Sequence, residues 1–158
     1  MTHLAGFETI LVIGYGNTLR GDDGLGPHVA GMIGALGLAN VKIRIVQQLL
    51  PELAADLAEV RRVHFIDACL GDAGEDVRLI AIHPAGGATV TGHVADAQGL
   101  LALTQAVYGR VPQAWLVSVP GEQFELCESL SAAAAANARL ACRTIHELIA
   151  SFAGQRGD

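Results

Sequence analysis

The sequence predicts an α/β fold: a three-layer αβα sandwich built on a five-stranded, mostly parallel twisted sheet with one antiparallel strand. Three observations carry this. Short apolar runs alternate with helix-like stretches in the order βαβαββαβα. Parallel pairs require crossovers, and crossover helices cover both sheet faces. The one connection without room for a helix, Gly71 to Asp76, makes the strand after it run antiparallel to its predecessor. With 158 residues, 51% of them hydrophobic, the chain can bury one core but is too short for two ordinary domains. A single domain over residues 1–158 is expected.

The elements follow from local pattern. Thr9 to Ile13 is a short apolar run bounded by glycine, a buried strand. Gly24 to Leu36 is a helix entered through Pro27, whose missing N–H costs little in a first turn. Val41 to Val46 alternates apolar with basic residues, a strand with one wetter face. Pro51 to Val60 is a helix with Leu53, Leu57 and Val60 on one stripe. Val63 to Asp67 is the third strand, ended by its aspartate, and Val77 to Ile82 the fourth. Asp96 to Tyr108 is a helix and Ala114 to Val119 the last strand. Ser131 to Phe152 closes the chain as a helix with Ile145, Leu148, Ile149 and Phe152 inward, and the run Ala132 to Ala136 and Cys142 as core material.

Composition narrows the function. A formal charge of −6, with no Lys/Arg cluster, argues against nucleic acid and anionic membrane surfaces as partners. Mean hydropathy is high at +0.40, yet no run reaches the roughly 18 apolar residues of a membrane span. Met1 to Glu8 lacks a positive segment followed by an apolar stretch, so a cytoplasmic protein is expected. Cys69, Cys127 and Cys142 are odd in number and lack CxxC spacing, which fits reduced thiols.

The loop after the first strand, Gly14 to Gly26, concentrates glycine and ends in the pair Asp22-Asp23. It is not a dinucleotide loop, because Leu19 stands where the third glycine belongs. It is not a phosphate loop either, for it lacks Gly-Lys-Ser/Thr and would set two carboxylates against the phosphates. Carboxylates at a strand end suit a cation, proton transfer or a cationic partner. In a parallel sheet ligands bind beyond the carboxyl ends of the strands. Asp22, Asp23, Asp67 and Glu122 are expected at that rim. His93 follows the stretch Pro84 to Gly92, whose nine residues reach about 30 Å when extended, enough to return there. Asp22 also suits a helix cap. Asn17 suits either a bond to its own loop backbone or a substrate contact. Gly16 is expected to take a conformation or close approach that a side chain would spoil. Cys69, near Asp67, could act as a nucleophile with His64 or His93, but small apolar filling is the usual role of such a cysteine. His146-Glu147 begins a zinc-protease helix motif but meets Ala150 where the second histidine belongs, and no Gly-x-Ser-x-Gly elbow occurs.

The run Ile10 to Gly26 resembles the opening of the hydrogenase maturation proteases, the endopeptidases that trim the large subunit of [NiFe] hydrogenases. The resemblance continues in order through Gln48-Leu49-Leu50-Pro51-Glu52-Leu53, Phe65-Ile66-Asp67-Ala68, Gly92-His93 and Leu130-Ser131. It implies that Asp23, Asp67 and His93 contact metal and carry catalysis, with Gly16, Asn17 and Asp22 on the substrate side. It further implies removal of the C-terminal extension of a [NiFe] hydrogenase large-subunit precursor. The nickel involved is carried by the substrate, is read as a maturation signal and is not expected to be retained tightly by the protease. A monomer is expected. Cys127 stands where many members carry glycine. A non-enzymatic nickel carrier using the same three residues, and a metal-dependent amidase for small peptides, are the alternatives; the first is weakened by the lack of a His- or Cys-rich tract.

Overall fold

The computed structural model describes residues 9–71, 76–85 and 93–154. In chain order its elements are β1 (Ile10–Tyr15), α1 (Leu25–Ala35), β2 (Val41–Val46), α2 (Leu53–Ala58), β3 (Arg62–Leu70), β4 (Arg78–Ile82), α3 (His93–Tyr108), β5 (Gln113–Gly121) and α4 (Ala132–Gly154). A short 3-10 helix, Gly21–Gly24, precedes α1. The strands form one sheet in the order β2-β1-β3-β5-β4. All pairs are parallel except β4 with β5. The α/β sandwich is thus as the element order predicts. The fourth strand does oppose the third in direction, but it pairs across β5 rather than beside β3.

Strand periodicity sorts the core into two layers. One face of the sheet sends Leu11, Ile13, Tyr15, Val63, Phe65 and Leu116 against α2 and α3. The other sends Val12, Ile66, Val117 and Val119 against α1 and α4. α1 lies unusually close to the sheet. A Cβ on Gly14 would collide with the Gly26 carbonyl oxygen, and one on Gly26 with the carbonyls of Tyr15 and Ile66. Only two bare backbones fit there, so the start of α1 is pinned over the junction of β1 and β3.

Several boundaries differ from expectation for physical reasons. β3 does not end at Asp67 but runs on to Leu70, because β5 continues the ladder through Asp67↔Ser118 to Leu70↔Gly121 after β1 has stopped pairing at Gly14↔Ile66. α2 is shorter than Pro51 to Val60, and α3 begins earlier than Asp96, at His93. In α4 the fully buried stripe is Ala134, Ala138, Ala141 and Ile145; Leu148, Ile149 and Phe152 are half-buried. Within Ala132 to Ala136 only Ala134 is buried, since a helix shows one face to a sheet. Cys142 packs half-buried beside that stripe, where burial pushes its thiol pKa up.

His64 is fully buried on the α4 side of β3, 5.6 Å from the Trp115 ring centroid. Trp115 in turn packs on Phe152, and the Arg62 guanidinium lies over both rings. Burial first, and the Arg62 charge second, push the His64 pKa down to about 4. The folded protein therefore resists protonating an imidazole that the unfolded chain protonates near pH 6.5. This stability is fully present above about pH 6.5 and lost as pH falls towards 4, by roughly 3 kcal/mol. Urea midpoints measured between pH 7 and 4 should show that fall, and His64→Leu should flatten it.

Candidate active site

The glycine loop is held by the segment that follows β5. Gly21 N–H donates to the Cys127 carbonyl at 2.7 Å, Asp22 N–H to the Gln123 carbonyl at 2.7 Å, and Cys127 N–H to the Leu19 carbonyl at 3.0 Å. The Asp22 side chain completes the join. Its Oδ2 accepts hydrogen bonds from Glu122 N–H at 2.8 Å, Gln123 N–H at 3.0 Å and the Ser131 hydroxyl at 2.7 Å. Its Oδ1 accepts from Ser131 N–H at 2.7 Å. Ser131 Oγ also accepts from Ala134 N–H at 3.1 Å, which caps α4. Burial raises the Asp22 pKa, yet the bonds from Ser131, Glu122 and Gln123 outweigh it and hold the carboxyl below the usual range. Asp22 is fully buried. Asp22, expected on the substrate side, thus has both carboxylate oxygens engaged by the fold, and it caps neither α1 nor the 3-10 helix.

Asp23, one residue on, is half-buried and faces the other way. Its Oδ2 accepts from Asn17 N–H at 2.7 Å. Asn17 Oδ1 accepts from Leu19 N–H at 2.9 Å, the local backbone bond anticipated as one of its two roles. Gly16 has φ +146, and a Cβ there would collide with the Asp23 carbonyl oxygen. A side chain at Gly16 is thus opposed by both conformation and space.

Asp23 and Asp67 line one cleft of about 660 Å³ with Arg20, Ala68, Cys69, Leu70, Ile80, Val94, Leu116, Ser118 and Phe124. The cleft opens at the carboxyl rim of the parallel strands. β1 stops pairing with β3 one residue before Asp67, whose side chain lines the cleft while only 3% exposed. Cys69 lies on the same face of β3, two residues on. His64 faces the opposite side, an odd number of residues away, so a Cys69–His64 pair is excluded. His93 opens α3 and its neighbour Val94 lines the cleft, while the His93 side chain lies outside the described residues. Among the described residues no three His, Cys, Asp or Glu side chains stand close enough together to hold a metal ion.

Tyr15 adds a group that motif reading passes over. It is buried at the end of β1, and its pKa is raised by burial first and by the facing Asp67 carboxylate next, with Asp96 of α3 contributing less. A neutral phenol is thereby kept beside Asp67. The signal was its parity with Leu11 and Ile13, which aims it at the α2/α3 side. Cys127 needs no glycine-like conformation: Asn40 is the non-glycine residue with positive φ among those described. Its thiol lies 3.2 Å from the Ser129 hydroxyl, and hydrogen bonding to Ser129 lowers its pKa.

The fold and cleft define a class: an open α/β sheet with paired carboxylates at its carboxyl rim. No protein-family model and no curated protein matches the chain. Solved structures do. The chain is similar to the hydrogenase maturating endopeptidase HybD from E. coli, with TM-score 0.71 and 20% identity over 91% of this chain and 93% of that one. It is also similar to a hydrogenase 2 maturation peptidase from a Thaumarchaeota archaeon, with TM-score 0.67 and 24% identity over 90% and 98%. A third, the [NiFe] hydrogenase maturation protease HybD from Thermococcus kodakarensis, gives TM-score 0.70 and 20% identity over 89% and 99%. The fold is that of these proteases.

Two variants test the loop. Asp22→Asn sets an amide nitrogen against donors and should cost roughly 2–4 kcal/mol in urea unfolding, whereas an unchanged midpoint would show that the join is not structural. Gly16→Val should displace Asp23 by about 1 Å and reduce catalysis on the order of a hundredfold while the core stays folded by circular dichroism.

Proposed function

We propose that the chain is an endopeptidase that removes the C-terminal extension of a [NiFe] hydrogenase large-subunit precursor after nickel insertion, with the nickel in the substrate as recognition signal. The observation that carries this reading is the meeting of Asp23 and Asp67, from separate elements, in one cleft of a fold shared with hydrogenase maturation proteases. α3 begins at this cleft, which makes His93 the third candidate contact. Two carboxylates and an imidazole are an N,O donor set suited to nickel, and three protein ligands leave positions for those the ion already has. Gly16 and Asn17 flank Asp23 and are the proposed contacts to the substrate backbone.

Hydrolysis needs little more than this cleft. A carboxylate takes a proton from water as the oxygen attacks the scissile carbonyl, and returns a proton to the leaving amine. Whether the second carboxylate or the substrate's ion polarises the carbonyl separates an aspartic from a metal-assisted peptidase. On this reading the protein works as a monomer in the cytoplasm.

Mass spectrometry of a large-subunit precursor incubated with the protein tests the reading. The nickel-loaded precursor should lose its extension and the nickel-free precursor should stay intact; equal cleavage of both would make the peptide sequence sufficient. Asp67→Asn and His93→Ala should each reduce processing by a hundredfold or more, and His93→Ala should leave the thermal transition nearly unchanged. Normal processing by His93→Ala would remove His93 from the site. Nickel co-purifying with the protein, without cleavage, would favour a carrier.

A further inference from the structure

Three leucines stand unusually exposed around the mouth of the cleft. Leu19, in the glycine loop, is 54% exposed, Leu70, at the end of β3, 78%, and Leu126, in the loop after β5, 87%. They come from separate segments but share one rim. Leu70 lines the cleft, Leu19 adjoins the cleft-lining Arg20, and the Leu19 carbonyl accepts the N–H of Cys127, next to Leu126. Phe124, half-buried, carries the apolar surface into the cleft. Exposed apolar surface beside a cleft marks an interaction site. Glu122, Glu125 and Glu128, all exposed, flank Leu126 in the sequence of the same loop.

We infer that this rim is a docking surface for the folded body of the protein substrate, which presents an apolar patch flanked by lysine or arginine. The identity of that partner rests on the protease reading above; the surface's chemistry does not. Two features select a folded partner. The leucines lie outside the carboxylate pair and belong to three separate segments of the rim. A second copy of this chain is disfavoured, because a two-fold rim-to-rim contact would set Glu122, Glu125 and Glu128 against the same loop in a chain of net charge −6. A basic, apolar surface meets neither objection, and glutamates at the edge of the contact steer it and fix its register.

Steady-state processing of a nickel-loaded large-subunit precursor from the source organism, at low and high salt, tests this with two variants: Leu19→Ser/Leu126→Ser and Glu122→Gln/Glu125→Gln/Glu128→Gln. All five side chains are exposed, and circular dichroism checks that both variants fold. The leucine pair should raise KM about tenfold or more and leave kcat at saturation unchanged. The glutamine triple should lower kcat/KM at low salt and flatten its salt dependence. If the wild type cleaves and both variants match it in KM and salt dependence, the docking surface falls while the protease reading stands. If the wild type neither binds nor cleaves a precursor, both fall. A wild-type dimer in sedimentation that the leucine pair abolishes would make a second copy the occupant and overturn the proposal.

Discussion

One buried carboxylate organises the carboxyl rim. Asp22 accepts four hydrogen bonds from residues 100 or more positions away in the chain, and so fastens the glycine loop to the segment between β5 and α4. A carboxylate shut off from solvent is tolerable only because donors surround it. Its neighbour inherits the geometry. Successive residues of a 3-10 helix diverge by about 120°, so with Asp22 fixed inward, Asp23 is turned out to the cleft. The two acids of one dipeptide thus part ways: one spends its charge on structure, and the other lines the cleft.

The remaining constraint is the depth at which α1 packs. The backbone contact between Gly14 and Gly26 sets the helix start against the ends of β1 and β3, and this brings a loop acid and a strand acid to one opening. Strand parity then selects the strand acid's company. Tyr15, Asp67 and Cys69 share the α2/α3 side, whereas Arg62, His64 and the aromatic residues they pack on lie on the other. The molecule therefore separates the carboxylate-bearing cleft from a buried histidine whose neutral form favours the fold.

Apolar periodicity made the element order, the sheet class and β2's wetter face legible, and the strand-end rule placed the acids at the correct rim. What the sequence concealed depended on distant partners. Nothing local distinguishes Asp22 from Asp23, since both are adjacent acids after glycine; only donors at Glu122, Gln123 and Ser131 assign one to the interior. The end of β3 was concealed likewise, because an aspartate that reads as a stop continues a strand when β5 supplies a partner. The Ala132 to Ala136 run looked like core because alanine is apolar, but burial follows the helix face and not the residue type. His64 was legible as packed, through its alternation with Phe65, although its contact with Trp115 was not.

The donor set also bears on whose metal the proposed chemistry would use. A resident ion needs enough protein ligands to hold it against water, and the proposed set is three: Asp23 and Asp67, which line the cleft, and His93 at the start of α3. An ion that arrives with its own ligands needs only a few more, and carboxylates already held on a rigid rim supply these without a large cost of reorganisation. Such a site would recognise the ion and release it once the surrounding protein leaves. On the proposed reading, therefore, a site of few protein ligands suits the function: a cleft that bound nickel tightly would strip it from the product whose completion it is meant to detect.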